Sequence, residues 1–504
     1  MTAPRTYVTT TIPYVNARPH LGHALELVQA DVLARHRRIR GDQVRFQTGT
    51  DDNSLKNVLA AQAAGLGVQE LVDANAAAFV ALAGPLSLSV DDVIRTSTDP
   101  RHRPGVERLW QACAQSGDLY RRPYQGLYCV GCEQFYTAAE LDDGRCAEHG
   151  TAPQEVSEEN WFFRLSRYAG QLTEAIETGL LRISPAQRRR EVLALIASGL
   201  DDFSVSRSAA RARGWGIAVP GDPDQVIYVW WDALGNYVTA LGYGTGGADL
   251  RTWWTEADRR IHLVGKGVLR FHAVYWPAIL ASAGLALPTD IVVHDYLTID
   301  GTKISKSGGP TADPAALAAD YGTDALRWWL LREVPRLGDT DFSTPRLIAR
   351  HNTDLANNLG NLTNRVVSML HRYRAARVPT SDARAPEAAT LETAIRDAPA
   401  RIDTALAEFD FRSATAAIWS VADEANRFIS QVKPWNLAKA EAAGDQQSAH
   451  QLDAILATLI SACRAIAAHL EPFLPDAAAQ IRTQCSTSPT GHVPPATPIF
   501  LRYT

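Results

Sequence analysis

Two short stretches, far apart in the chain, carry groups suited to holding a polyphosphate. Near the N-terminus, His20-Leu-Gly-His23 follows a β-branched run over 7–12 and a turn marked by Pro13 and Pro19. The run reads as a buried strand. From Leu21, apolar residues recur at Ala24, Leu25, Val28 and Val32 with a helical period, and Gly41 closes a basic tail. His20 and His23 therefore stand where a strand hands the chain to a helix N-terminus. Free N–H groups and the positive end of the helix dipole favour phosphate there. Gly22 removes a side chain where a flat base could approach the backbone. A helix cap with two incidental histidines fits the same residues. The second stretch is Lys303-Ile-Ser-Lys306-Ser307, followed by two glycines. Two lysines and two hydroxyls on one loop suit a polyphosphate whose charge must be neutralised as it leaves; a solvated basic loop reads the same way.

Other residues could recognise a substrate or a metal. Asp51 follows the second strand, over 43–47, where open α/β sheets bind ligands. It is a candidate to hold the ammonium group of an amino acid, or to cap the helix that follows. Trp230, Tyr237, Phe271, His272 and Trp276 fall at or after expected strand ends, and aromatic faces suit a polarisable thioether; core packing is the rival reading. Cys129-Val-Gly-Cys132 and Cys146-Ala-Glu-His149 repeat one ligand spacing. Three thiolates and one imidazole can close a tetrahedral zinc site, and with all four positions filled by protein that metal is structural. Four unrelated reduced side chains are the alternative. Late in the chain, Asn361 and Arg365 share a helix face, and Trp435 follows Pro434 at a helix break. Such a surface can splay and stack single-stranded bases, although a tryptophan after proline also serves as a core plug.

The elements that must position these groups follow from pattern and length. With 504 residues, 46% hydrophobic and 21% charged, the chain predicts a multi-domain globular enzyme. A net charge of −5 places any nucleic-acid contact in local patches such as Arg188–Arg190, which precedes an amphipathic segment ending at Leu200 and reads equally as a solvated helix end. Six cysteines, three of them in the metal-like cluster, point to a reducing compartment. No secretory leader and no apolar run of spanning length is read, so a cytoplasmic protein with no membrane contact is expected. Helices are expected over 69–118 around a strand near 92, and the apolar run 226–232 reads as a buried strand. From about 346 the periodicity is helical.

HLGH after a first strand, together with KISKS far downstream, resembles the HIGH and KMSKS elements of class I aminoacyl-tRNA synthetases. The surrounding residues resemble the methionyl-tRNA synthetase family almost end to end. The resemblance implies an α/β fold: a Rossmann-type nucleotide-binding domain with a zinc-knuckle connective insertion, then an all-α anticodon-binding bundle. It implies the domains 1–117 and 206–300 (the two Rossmann halves), 118–205 (insertion), 301–345 (KISKS loop and stem contact) and 346–504 (bundle). It further implies ATP, Mg²⁺ and structural Zn²⁺ as cofactors, with L-methionine and tRNA(Met) as partners. His20, His23, Lys303 and Lys306 take the catalytic roles, and His20, Gly22, His23, Asp232 and Lys306 face ATP. Ile12, Tyr14, Asp51, Trp230, Tyr237, Phe271, His272 and Trp276 form the methionine site. Asn361, Arg365 and Trp435 read the anticodon, and Cys129, Cys132, Cys146 and His149 hold zinc. A monomer is expected, because no dimerising domain follows the bundle. Asn53, Ser54 and Gly267 depart from the family pattern. They keep open a relative that passes an activated amino acid to a small acceptor without tRNA, for instance in hydrazine-forming biosynthesis.

Overall fold

The computed structural model describes residues 3–130, 134–137, 140–147, 150–304, 312–380 and 385–503. They form two compact units. The first takes in the chain up to Ala83 and Leu88–Tyr296; the second takes in Gly84–Ser87, Leu297–Lys303 and the chain from Ala312.

The first unit is built on six parallel strands: β1 (Arg5–Thr10), β2 (Gln43–Thr50), β3 (Asp92–Arg95), β4 (Arg182–Ser184), β5 (Arg259–Gly265) and β6 (Asp290–His294). Their order is β3-β2-β1-β5-β6-β4. Val8 sits in register with Phe46 on one side and Ile261 on the other. The β-branched centre of β1 is thus buried between two neighbours, as its composition predicts. The strand order reverses between β1 and β5, so the crevice beyond their C-terminal ends is where an open α/β sheet takes a ligand. Five helices matter to that crevice: α1 (Leu21–Ile39), α2 (Leu55–Ala64), α3 (Val68–Ala81), α4 (His102–Gln115) and α5 (Val229–Thr239). In α1 the last turn carries His36, Arg37 and Arg38, which suit the negative dipole end, and the chain turns at Gly41 with φ +93°.

Two sequence expectations change. The run 226–232 is not one buried strand. The strand Asp222–Ile227 belongs to a small antiparallel sheet, and α5 begins at Val229, carrying Trp230 and Asp232 in its first turns. The residues from Trp231 to Thr239 are buried, and a helix buried on all sides shows the same unbroken apolar run as a buried strand. Within 118–205, expected as insertion, Arg182–Ser184 instead supplies β4, pairing in parallel with β6. Three residues carry too little pattern to reveal a strand. The rest of that segment contributes Leu119–Cys129, Gln134–Tyr136 and Gln154–Phe163 to an antiparallel sheet completed by Phe203–Ser204.

The second unit is mainly helical, from Pro314–Tyr321 to Pro475–Cys485. Its helix Gln446–Leu470 is long and apolar enough to cross a membrane by composition, an amendment to the sequence reading. Leu452, Ile455, Leu456, Leu459 and Ile460 on that helix are instead buried in the protein. Arg327 is fully buried and donates to the carbonyls of Phe473, Leu86 and Pro472 at 2.7, 2.8 and 2.9 Å.

Candidate active site

The loop between β1 and α1 brings both sequence histidines to the crevice. His20 is the N-cap of α1 and His23 is its third residue, and they cap the helix reciprocally. The Gly22 N–H donates to His20 Nδ1 at 3.1 Å, and the His20 N–H donates to His23 Nδ1 at 3.0 Å. Both Nδ1 atoms therefore act as acceptors, which fixes the ring proton on Nε2 in each imidazole. The rings lie 3.8 Å apart, and Phe79 meets His23 edge-on at 5.0 Å. The helix-cap reading of the two histidines is thus what the geometry shows. Gly22 has a second reason to be glycine, since a Cβ there would come within 3.0 Å of the His20 ring.

Glu26, one turn further along α1, is the group that sequence reasoning missed. It is buried and accepts from the Thr11 N–H and hydroxyl, both at 2.6 Å. Across the crevice, His294 Nε2 at the end of β6 lies 2.9 Å from its other oxygen. His294 Nδ1 donates to the Asp295 carbonyl at 2.9 Å. Burial alone would lower the His294 pKa, but the bond to Glu26 and its charge outweigh burial and raise it. The pair is a histidine–carboxylate contact at the sheet's switch point, and the carboxylate favours the protonated imidazole. A carboxylate inside an apolar helical run reveals no role in the sequence while its partner is unknown.

Asp51 is buried beside Tyr14. The Asp51 N–H donates to the Pro13 carbonyl at 3.0 Å, a bridge that ties the loop after β1 to the end of β2. Ile12 packs with Ile94, Ala233 and Ala240. Tyr14 meets Trp230 edge-on at 6.2 Å, and Trp230 stacks on Phe271 at 3.8 Å with planes 6° apart. Tyr237 and His272 join through a 2.8 Å hydrogen bond between the phenol and Nε2. His272 Nδ1 faces the Val268 carbonyl at 2.9 Å and must donate to it, so Nε2 accepts from the tyrosine. Burial pushes the His272 pKa down to about 4 and the Tyr237 pKa well up, leaving both groups neutral. Trp276 donates to His262 Nε2 at 3.3 Å, and His262, stacked on Tyr237 at 4.0 Å, is driven well below its ordinary pKa by burial. Tyr237, His272, His262 and Trp276 thus form a buried cluster of neutral rings.

Not every expected residue points into this space. Asp232, expected on the nucleotide side, is 1% exposed; it meets His102 Nε2 with one oxygen and accepts from the Asn53 amide at 2.7 Å with the other. Asn53 and Ser54, departures from the family pattern, have local work: Ser54 caps α2 by accepting from the Lys56 N–H at 3.0 Å. Lys303 is placed by its backbone pairing with Thr298, and Lys306 lies outside the described residues. So do Cys132 and His149. Cys129 and Cys146 are both buried, and both neighbour Thr151: Cys129 Sγ lies 3.9 Å from its hydroxyl, and the Cys146 N–H donates to its carbonyl at 2.9 Å. Among the described residues no group of three metal ligands occurs. In the helical unit, Asn361 and Arg365 lie on the helix Asn361–Arg374, and Trp435, in the first turn of Pro434–Ala442, is 45% exposed. That exposure excludes the core-plug reading.

Comparison with known proteins gives the same direction. Residues 6–142 and 136–367 match the family of class I tRNA synthetases (M), and residues 378–497 match the anticodon binding domain of methionyl tRNA ligase. The methionine–tRNA ligase of Brucella suis is 39% identical, covering 95% of this chain and 92% of that protein. The Mycobacterium bovis methionine–tRNA ligase is 38% identical, covering 99% of this chain and 98% of that protein. Mycobacterium tuberculosis methionyl-tRNA synthetase in complex with methionyl-adenylate aligns with a TM-score of 0.93 at 37% identity, over 99% of this chain and 100% of that one. Its apo form gives 0.86 at 34% identity. The chain belongs to the methionyl-tRNA synthetase family of class I aminoacyl-tRNA synthetases.

Proposed function

We propose that the chain activates L-methionine with ATP and transfers it to the 3′ end of tRNA(Met). The observation that carries this is the cluster of neutral aromatic side chains on the sheet that also presents the His20–His23 helix N-terminus. In the first step the methionine carboxylate attacks the α-phosphorus of ATP, giving methionyl-adenylate and pyrophosphate. In the second, a terminal hydroxyl of the tRNA takes the methionyl group and AMP leaves. Positioning and charge stabilisation supply the acceleration. Asp51 holds the α-ammonium group; Trp230, Phe271, Tyr237, His272 and Trp276 enclose the thioether. Apart from Asp51, an uncharged wall around the thioether rejects ionised side chains, which would be buried without a partner. His20 and His23 donate to phosphate oxygens, and Lys303 and Lys306 take the departing pyrophosphate. Magnesium, bound with the nucleotide, neutralises phosphate charge.

Asn361, Arg365 and Trp435 receive the anticodon bases. Cys129 and Cys146, with Cys132 and His149, hold a structural zinc; two buried thiols on neighbouring segments suit that donor set. A monomeric, cytoplasmic enzyme completes the proposal. The small-acceptor alternative loses part of its motive, because Asn53 and Ser54 are accounted for by local hydrogen bonds. The test is pyrophosphate exchange with each amino acid in turn, followed by transfer to total tRNA. Methionine-dependent exchange with charging of tRNA(Met) is expected; exchange without charging would favour the small-acceptor reading.

A further inference from the structure

Behind the loop after β2, a row of buried polar groups ends on Asp51. The Thr239 hydroxyl lies 2.8 Å from His102 Nδ1, and His102 Nε2 meets Asp232. The second Asp232 oxygen accepts from the Asn53 side-chain amide at 2.7 Å, and the Asn53 backbone N–H donates to Asp51 Oδ1 at 3.2 Å. Thr239, His102, Asp232 and Asp51 are all at most 1% exposed. Asp232 is an acceptor, so His102 must present Nε2–H to it.

The other side of the same loop is held independently. The Asn57 amide donates to the carbonyls of Asp51 and Asp52 at 3.1 and 2.8 Å, and Arg95 and Ser97 bind the Asp52 carboxylate. These bonds hold the chain at Asp51 and Asp52 without His102, whereas the Asn53 peptide, whose N–H reaches Asp51, is anchored through its side chain, to Asp232 at 2.7 Å and to the Thr96 carbonyl at 3.3 Å. Removing His102 leaves Asp232 buried with one donor fewer, and Asn53 is the group able to move toward it.

We infer that His102 is a positioning residue for the amino-acid site: through Asp232 and Asn53 it sets the Asp51 carboxylate that receives the substrate's α-ammonium group. The inference rests on the role given to Asp51 in the proposed function. It also gives Asp232 an indirect role in place of contact with the nucleotide. A small displacement suffices, because charge-assisted hydrogen bonds are sharply directional and misplacement by about 1 Å is felt in catalysis.

The test compares two inhibitors of methionine-dependent exchange. L-Methioninol keeps the ammonium group and the thioether; desaminomethionine keeps the thioether and the carboxylate but has no ammonium group. His102→Ala is expected to weaken L-methioninol by about ten-fold while leaving desaminomethionine within about two-fold. His102→Gln, which can still donate to Asp232, should restore L-methioninol to within about three-fold. Asn53→Ala, which leaves His102 in place, should repeat the alanine pattern and serves if His102→Ala does not fold. Equal weakening of both inhibitors, or undiminished L-methioninol binding in folded variants, overturns the inference. If the wild-type protein shows no methionine-dependent exchange, the proposed function falls instead.

Discussion

Glu26→Gln separates the charge of the crevice from its shape. The substitution preserves size and one acceptor for Thr11, but it removes the negative charge facing His294. Three hydrogen bonds converge on the wild-type carboxylate, two from Thr11 and one from His294. Breaking a buried ion pair by deleting one partner costs about 3–5 kcal/mol. His294 can relieve part of that by losing its proton, since burial already opposes its cation, so about 2–3 kcal/mol is expected at neutral pH. For a unit of this size that lowers the melting temperature by roughly 4–10 °C. The pH dependence is the sharper readout. In the wild type the His294 pKa is raised. Its contribution to stability is full below the unfolded value of about 6.5 and is lost as pH rises through the folded pKa. In the variant burial dominates and the folded pKa drops below the unfolded one, so stability is lost as pH falls below about 6.5. Calorimetric melts of both proteins between about pH 5 and pH 9, taken as a difference, cancel the other histidines. The stability advantage of the wild type should shrink steadily as pH rises. A constant offset at every pH would show that the bridge carries no charge and refute the reasoning.

Four further outcomes are expected. Tyr237→Phe removes the donor to His272 Nε2 and should raise the methionine KM about ten-fold with the ATP KM within about two-fold; an unchanged methionine KM would place the substrate elsewhere. Lys306→Ala should slow adenylate formation by about a hundred-fold or more with methionine binding little changed, as read by exchange kinetics and equilibrium titration. Trp435→Ala should cost about 1–3 kcal/mol in tRNA binding and leave methionine-dependent exchange intact, so loss of exchange would contradict an anticodon role. Elemental analysis should find one zinc per chain; Cys129→Ser or Cys146→Ser should release it and loosen the insertion, seen as faster proteolysis there.

The first strand and helix were legible because several signals agree over residues 7–41: β-branched composition, proline punctuation, a helical period and a closing glycine. HLGH could be placed at the helix N-terminus from that alone. The capping geometry could not, since it depends on which ring nitrogen accepts, and only three-dimensional contacts fix that. The aromatic residues were legible as a set and their secondary structure was not. Trp230 lies on a helix because Tyr228 is extended and the apolar run then turns, a change that leaves no mark on periodicity when every face is buried. His102 and Glu26 were invisible for a different reason. Each acts through partners more than a hundred residues away, Asp232 for one and His294 for the other, and a lone polar residue in a helix signals nothing until its partner is known.

Three histidines in the first unit show how the site assigns charge by partner rather than by residue type. His262 and His272 are buried among aromatic rings, their nitrogens committed to neutral groups: Trp276, Thr9, Tyr237 and the Val268 carbonyl. With no carboxylate in hydrogen-bond reach, burial decides and both are neutral. His294 is only partly buried, and Glu26, 2.9 Å away, reverses the outcome. The aromatic wall is therefore held uncharged by groups that would be cationic in weak acid if exposed, while beside α1 the Glu26 carboxylate favours the charged form of His294. Acid should accordingly weaken the wall only on approach to the His272 value of about 4. Methionine affinity measured by titration should stay level from neutral pH down to about pH 5. A loss of affinity centred near the ordinary imidazole value would mean that the wall histidines titrate as if exposed, and that the pocket is wet.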